Sequence, residues 1–253
     1  MTGCYIATRG TRLAITMPHM LSDEATDLTH DHPRAMIGLY GIIGVVAAAL
    51  CTWGFLILVD EIPEHGWMAR VDTAATAWLQ SAGTERGESA FVFVSLFGSP
   101  ILAAVVLIVA AVLVRRKEWQ RLRLLAAASG GGAVLNLVLK AIFHRARPAV
   151  SIEFHPASPS FPSGHAMNAM VTYGLLGLWA ARAYPAYRWS VITLTAFLIA
   201  LIGFARVYLG VHYLSDVAAG YSVGIVWLTT CILAARIDEA VAHRKHSDRT
   251  TGR

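Results

Sequence analysis

Charged side chains are scarce in this chain. Asp, Glu, Lys and Arg make up 15% of its 253 residues, while 56% are hydrophobic. Soluble domains carry roughly 25% charged residues, so an ordinary water-exposed surface is excluded. Cysteine is nearly absent as well. Cys4, Cys51 and Cys231 are too few and too scattered for a disulfide framework. Cys51 and Cys231 fall in apolar stretches and read as small fillers, with Cys4 as a tail thiol. The first 35 residues lack the apolar core of a signal peptide. Leu13–Met17 is too short, and Asp23, Glu24, Asp27 and Asp31 follow it. No internal repeat or low-complexity segment divides the chain, which reads as one domain.

What the chain has instead is apolar length. Mean hydropathy is +0.54, and apolar segments of about 20 residues, each enough to cross a bilayer as helix, recur throughout. They are apolar on all sides, where a soluble helix would show a stripe. Spans are predicted at about Met36–Val59, Ala90–Val114, Leu124–Phe143, His165–Ala183, Val191–Arg206 and Leu214–Ala235. The expected fold class is all-α: a polytopic six-transmembrane-helix bundle over residues 36–236, with cytoplasmic tails at 1–35 and 237–253.

An even number of spans puts both termini on one side. Arg115, Arg116, Lys117, Arg121 and Arg123 crowd the loop after the second span, and Arg236, Arg244, Lys245, Arg249 and Arg253 the C-terminal tail. Arg182 and Arg188 follow the fourth span. In the first loop on the other side, Arg70 and Arg86 are diluted by Glu61, Glu64, Asp72, Glu85 and Glu88. The positive-inside rule then places both termini in the cytoplasm. The net charge of +5 belongs to topology rather than to nucleic acid, since no basic patch interleaves with aromatics.

In the first outer loop, Trp67, Val71, Ala75, Trp78 and Leu79 share one side of a helix. That pattern predicts an interfacial helix with Trp anchors, or one packed on neighbouring spans. Gly130, Gly131 and Gly132 lie inside the third span and predict close helix contact.

Polar residues at span ends carry the chemistry, because charge in a bilayer is costly and usually functional. They form three clusters at the outer ends of spans. Lys140 and Arg147 are seven apart, on one face if the helix continues until Pro148 ends it. Pro162-Ser163-Gly164-His165 enters the fourth span, where free N–H groups and the helix dipole favour an anion. Arg206 precedes His212 and Asp216, which are four apart and so neighbours on a helix. Asp216 can take a hydrogen bond from one imidazole nitrogen and leave the other free to attack. Three cations and a helix N-terminus suit a doubly charged tetrahedral anion, and two histidines supply a nucleophile and a general acid. A zinc pair at His212 and Asp216 falls short of the three or four ligands zinc takes.

Lys140-x6-Arg147-Pro148, Pro162-Ser163-Gly164-His165 and Arg206-x5-His212-x3-Asp216, in this order, resemble the three signature motifs of the type 2 phosphatidic acid phosphatase family. That superfamily also holds vanadium haloperoxidases and glucose-6-phosphatase. The resemblance implies that Lys140, Arg147 and Arg206 bind phosphate with the Ser163 side chain and the Gly164 N–H. It implies that His212, oriented by Asp216, forms a phosphohistidine, and that His165 protonates the leaving alkoxide and then activates water. It implies no metal and no cofactor. Ala205 stands where the third motif often has Ser, so an accessory hydrogen bond is missing there. His144, Arg145 and His155 match no signature position and read as loop residues.

The implied activity is metal-independent hydrolysis of lipid phosphates, such as undecaprenyl pyrophosphate, phosphatidate or phosphatidylglycerol phosphate. The partners implied are the lipid substrate and the bilayer, with no nucleic acid and with room for a homodimer. The location implied is a bacterial cytoplasmic membrane, with the active site on its periplasmic or extracellular side. Two rivals are a non-catalytic lipid-phosphate binding or transport protein, which has no need of the His212–Asp216 pair, and a vanadate-dependent haloperoxidase, whose members are mostly soluble.

Overall fold

The computed structural model describes residues 32–60, 66–149 and 158–251, the side chains of 32–40 and 242–251 excepted. Cys4, most of the 1–35 tail, Glu61, Glu64 and His155 fall outside the described residues. Residues 43–253 form one compact unit, and residues 1–42 are assigned to another. No strand occurs among the described residues.

The helices are α1 (His32–Asp60), α2 (Trp67–Ser81), α3 (Glu85–Leu96), α4 (Pro100–Arg115) and α5 (Trp119–Leu125). A π-helical turn, Ala126–Gly130, joins α5 to α6 (Gly131–Phe143). Then come α7 (Gly164–Ala183), a 3₁₀ turn at Pro185–Tyr187, α8 (Arg188–Tyr208) and α9 (Leu214–Thr251). Five stretches are long and apolar enough to cross a membrane: Gly41–Asp60, Glu85–Arg115, Trp119–Phe143, Pro185–Tyr208 and Leu214–Val241. Their outer surfaces are oily, with Leu50, Trp53, Leu107 and Leu194 all about two-thirds exposed. A bilayer is the solvent such surfaces require. The chain is an integral membrane protein.

The fourth expected span forms as α7, a helix of 20 residues, but it is less apolar than those five. The physical reason is its position. Ala166, Met167, Ala169, Val171 and Leu175 are at most 1% exposed, and α8 and α9 pack along it. A helix wrapped in protein can carry His165, Asn168 and Thr172 because little of it meets lipid.

The second expected span is interrupted. A turn at residues 97–99 separates α3 from α4, and Pro100 opens α4 where its missing N–H costs nothing. Upstream, the Thr84 hydroxyl caps α3 by accepting the Gly87 N–H at 3.1 Å, with Glu85 and Glu88 in the first turn. α9 runs 38 residues without a break at 237, where a tail was expected to begin.

The glycine triplet works as a seat. A Cβ on Gly131 would stand 2.5 Å from the Trp227 ring, and one on Gly132 3.4 Å from it. Trp227 lies there and donates its indole N–H to the carbonyls of Ala128 (3.0 Å) and Ala127 (3.3 Å), inside the π turn. A π turn disturbs the regular ladder of carbonyls, and the indole satisfies those two.

α2 is helical and turns Asp72, Thr76 and Leu79 inward, so Leu79 parts from the face on which it was expected. Trp67, Val71 and Trp78 point outward, at 50%, 39% and 67% exposure.

Candidate active site

Three segments meet at one end of the bundle. The first leaves α6. Lys140 lies on its last turn, buried, and donates to the Pro159 carbonyl. The helix stops at Phe143 because His144 turns left-handed, with φ 44°. It does not continue to Pro148, so Lys140 and Arg147 do not share a helical face. Residues 144–148 run without helix instead, and Arg145 and Arg147 both reach the 211–216 segment. Arg147 Nη1 donates to the Val211 carbonyl at 2.7 Å and lies 3.4 Å from His212 Nε2. Its Nε and Nη2 hold Ser158.

The second segment opens α7. Ser163 is fully buried at the N-cap, and its hydroxyl has no hydrogen-bond partner. Its N–H donates to the Asp216 carbonyl at 2.9 Å, tying this segment to the third. Gly164 is packed so closely that a Cβ would stand 2.8 Å from Asn136 Oδ1. Asn136, one turn before Lys140 on α6, donates to the Pro162 carbonyl at 3.3 Å. His165 lies against Gly98, whose Cβ would stand 2.7 Å from the imidazole.

The third segment joins α8 to α9. Arg206, 4% exposed, donates through Nη1 to the Ser95 hydroxyl of α3. Ala205 is fully buried and brings no hydroxyl there. The N–H groups of Val211 and His212 both turn back to the Arg206 carbonyl, so the turn holds His212 close to that arginine. His212 Nδ1 lies 3.4 Å from Asp216 Oδ2, beyond a well-formed hydrogen bond, and has no other partner. Catalytic hydrogen bonds are often long before substrate arrives.

His212 is 2% exposed. Burial pushes its imidazole down to about 4, with Arg147 and Arg206 adding to the fall and Asp216 opposing it. A neutral imidazole with its outer nitrogen beside an arginine is equipped to attack an anion held by that arginine. Among the described residues, no group of three or more His, Cys, Asp or Glu is placed to hold a metal ion.

The fold brings Lys140, Arg147, Ser163, Gly164, His165, Arg206, His212 and Asp216 together at this end of the bundle. Residues 121–237, which contain them all, match the PAP2 superfamily. They form a PAP2 domain. The crystal structure of the first transmembrane PAP2-type phosphatidylglycerolphosphate phosphatase, from Bacillus subtilis, superposes with a TM-score of 0.67 at 28% identity, over 77% of this chain and 96% of that one. Phosphatidylglycerophosphatase B of Bacillus subtilis is 38% identical over 96 residues, 37% of this chain and 47% of the relative. Lipid A 1-phosphatase of Rhizobium johnstonii is 37% identical over 111 residues, 39% of this chain and 42% of that protein. The chain therefore spans less than half the length of these curated relatives.

Four residues of the PAP2 site escaped the sequence reading. Arg145 lies on the loop, as expected, but is bound there: it donates to Asp216 Oδ1 (2.6 Å), the Ser215 hydroxyl (2.7 Å) and Asp72 Oδ2 (2.9 Å). Burial works against its charge, but Asp216 and Asp72 outweigh that and raise its affinity for the proton. Asp72, Ser95 and Asn136 are buried polar residues on helices. Asn136 alone left a signal, a polar residue one turn from Lys140 in an apolar span.

Proposed function

We propose that the chain hydrolyses phosphate monoesters or pyrophosphates of membrane lipids, without a metal ion, through a phosphohistidine at His212. The observation that carries this reading is the setting of His212, with Asp216 facing Nδ1 at 3.4 Å and Arg147 beside Nε2 at 3.4 Å. The substrate phosphate sits among Lys140, Arg147, Arg206, the Ser163 hydroxyl and the Gly164 N–H. Nε2 attacks phosphorus while Asp216 holds the Nδ1 proton. His165 protonates the leaving oxygen, then takes a proton from the water that frees the enzyme. Charge neutralisation and positioning supply most of the catalysis in phosphoryl transfer.

A cavity of about 560 Å³ runs from Gly164 and His165, past Gly98 and Leu102, to Ser129 and Thr172. It is mostly apolar and suits the first carbons of a lipid chain. The chain's similarity to a phosphatidylglycerophosphatase and a lipid A 1-phosphatase supports a lipid phosphate as substrate. A binding or transport protein would keep the cations but has no use for a buried histidine–aspartate pair.

In the membrane, α7 completes six crossings with both termini cytoplasmic. The site then opens on the non-cytoplasmic face, and α2 lies in the interface with Trp67 and Trp78 toward the headgroups.

The test is phosphate release by detergent-purified protein with EDTA, across several lipid phosphates and one water-soluble ester. Release by wild type that disappears in His212→Ala is expected. Equal release from the variant, or none from any substrate, rejects the reading in favour of binding or transport.

A further inference from the structure

We infer that Arg145, anchored by Asp72 of α2, is a positioning residue that sets Asp216 against His212. The inference rests on the phosphohistidine reading and adds two residues to it. Asp216 is fully buried, and its two oxygens have separate tasks. Oδ2 accepts the Tyr213 N–H at 2.9 Å and faces His212 Nδ1. Oδ1 accepts Arg145 Nη1 at 2.6 Å. The other guanidinium nitrogen, Nη2, reaches Asp72 Oδ2 at 2.9 Å, while Asp72 Oδ1 accepts the Ser215 N–H at 2.9 Å. The Ser215 hydroxyl bonds both Arg145 and Asp72. The Tyr213 ring covers the guanidinium, 4.4 Å from its centroid.

Two arginines two residues apart therefore flank His212 in different ways. Arg147 lies beside Nε2, where phosphorus arrives. Arg145 touches Asp216, behind Nδ1. A carboxylate buried without a cation is costly as an anion and draws a balancing proton onto the neighbouring imidazole. Paired with Arg145, it stays an acceptor and fixes the tautomer of His212 with the Nε2 lone pair outward. Two carboxylates and one guanidinium leave one negative charge in the network. That charge meets the positive charge that grows on the imidazole as the Nε2–P bond forms and the ester P–O bond breaks. The Nδ1 proton stays between His212 and Asp216, and the leaving oxygen takes its proton from His165.

The side chains of Arg145 and Asp72 bond none of the residues that hold the phosphate, so the loss of either has a particular signature. The charged or titratable groups around His212 are Asp216 from α9, Arg147 from the non-helical segment, Arg206 from α8 and His165 from α7. Without the Arg145 charge, Asp216 faces His212 uncompensated and His212 binds its proton at higher pH. Arg145→Gln is expected to lower kcat on a water-soluble aryl phosphate roughly 10–100-fold. KM and the inhibition constant for inorganic phosphate should stay within about threefold, as for a group acting on the transition state rather than on binding. The acid limb of kcat/KM should move to higher pH. Arg145→Lys keeps the charge but reaches one carboxylate at a time, and should recover part of kcat with the acid limb near wild type.

Wild-type kcat and pH profile in Arg145→Gln overturn the inference. So does a rise of KM and of the phosphate inhibition constant in step with the loss, which would put Arg145 in the phosphate clamp. Should Arg145→Gln yield no folded protein, Arg145→Lys decides alone: a several-fold kcat loss at unchanged KM supports the assignment, and full kcat overturns it. His212→Ala run alongside separates the two readings. An active His212→Ala rejects the phosphohistidine itself, whereas an inactive one beside an unperturbed Arg145→Gln rejects only the role of Arg145.

Discussion

Burial sets the proton affinity of His212, and through it part of the response of the fold to acid. The imidazole titrates at about 4 in the folded protein against 6.5 when free. Between those values the unfolded chain takes up a proton that the folded one refuses, so stability is highest above 6.5 and falls toward 4. At 1.36 kcal/mol per pH unit the full effect is about 3 kcal/mol. Thermal melts in detergent should show wild type losing stability relative to His212→Asn as pH falls from about 7 to about 4.5; parallel curves would exclude it. The Ser163 hydroxyl invites the opposite experiment. It is buried and unpartnered, so Ser163→Ala should leave stability within about 1 kcal/mol while phosphate turnover falls. A stability loss well beyond that, with turnover intact, would make Ser163 a structural residue. The signature residues were legible in the chain because each is a polar group in an apolar setting. Asp72, Ser95 and Arg145 were not, since their roles depend on neighbours 73, 111 and 71 positions away.

At the scale of elements, hydropathy located the helices but not their punctuation. The turn at 97–99 and the left-handed stop at His144 leave apolar content almost unchanged, so a hydropathy scan passes over both. The stop at His144 matters more, because it turns a presumed helical face into a non-helical arm bearing Arg145 and Arg147. Glycines in the triplet are likewise not equivalent. A Cβ on Gly131 would enter the Trp227 ring at 2.5 Å, whereas one on Gly130 meets nothing within 4 Å. Gly131→Ala is expected to cost roughly 1–3 kcal/mol by overpacking, and Gly130→Ala to be neutral or stabilising in a helical setting. Equal melting temperatures for the two variants would contradict the seat described for Trp227.

For the whole molecule, the open question is sidedness. Single cysteines at positions 117 and 158, introduced as Lys117→Cys and Ser158→Cys in a chain whose Cys4, Cys51 and Cys231 have been replaced, would report it. An impermeant thiol reagent is expected to reach position 158 from outside intact cells and position 117 only after permeabilisation. The reverse pattern would turn the proposed topology over and place the chemistry on the cytoplasmic face. The all-helical class, the membrane setting and the site were legible together, because spacing and hydropathy are properties of a linear string. Which helix ends up encased is a property of the assembly.

That encasement has a consequence for biogenesis. α7 bears His165 at its start and is the least suited of the long helices to enter lipid alone. Insertion of a segment depends on its own apolar content unless neighbours shield its polar groups. Its partners α8 and α9 are made after it. The segment that opens the active site therefore gains its stable place in the bilayer only with later parts of the chain, and the catalytic centre assembles after α9 has been made.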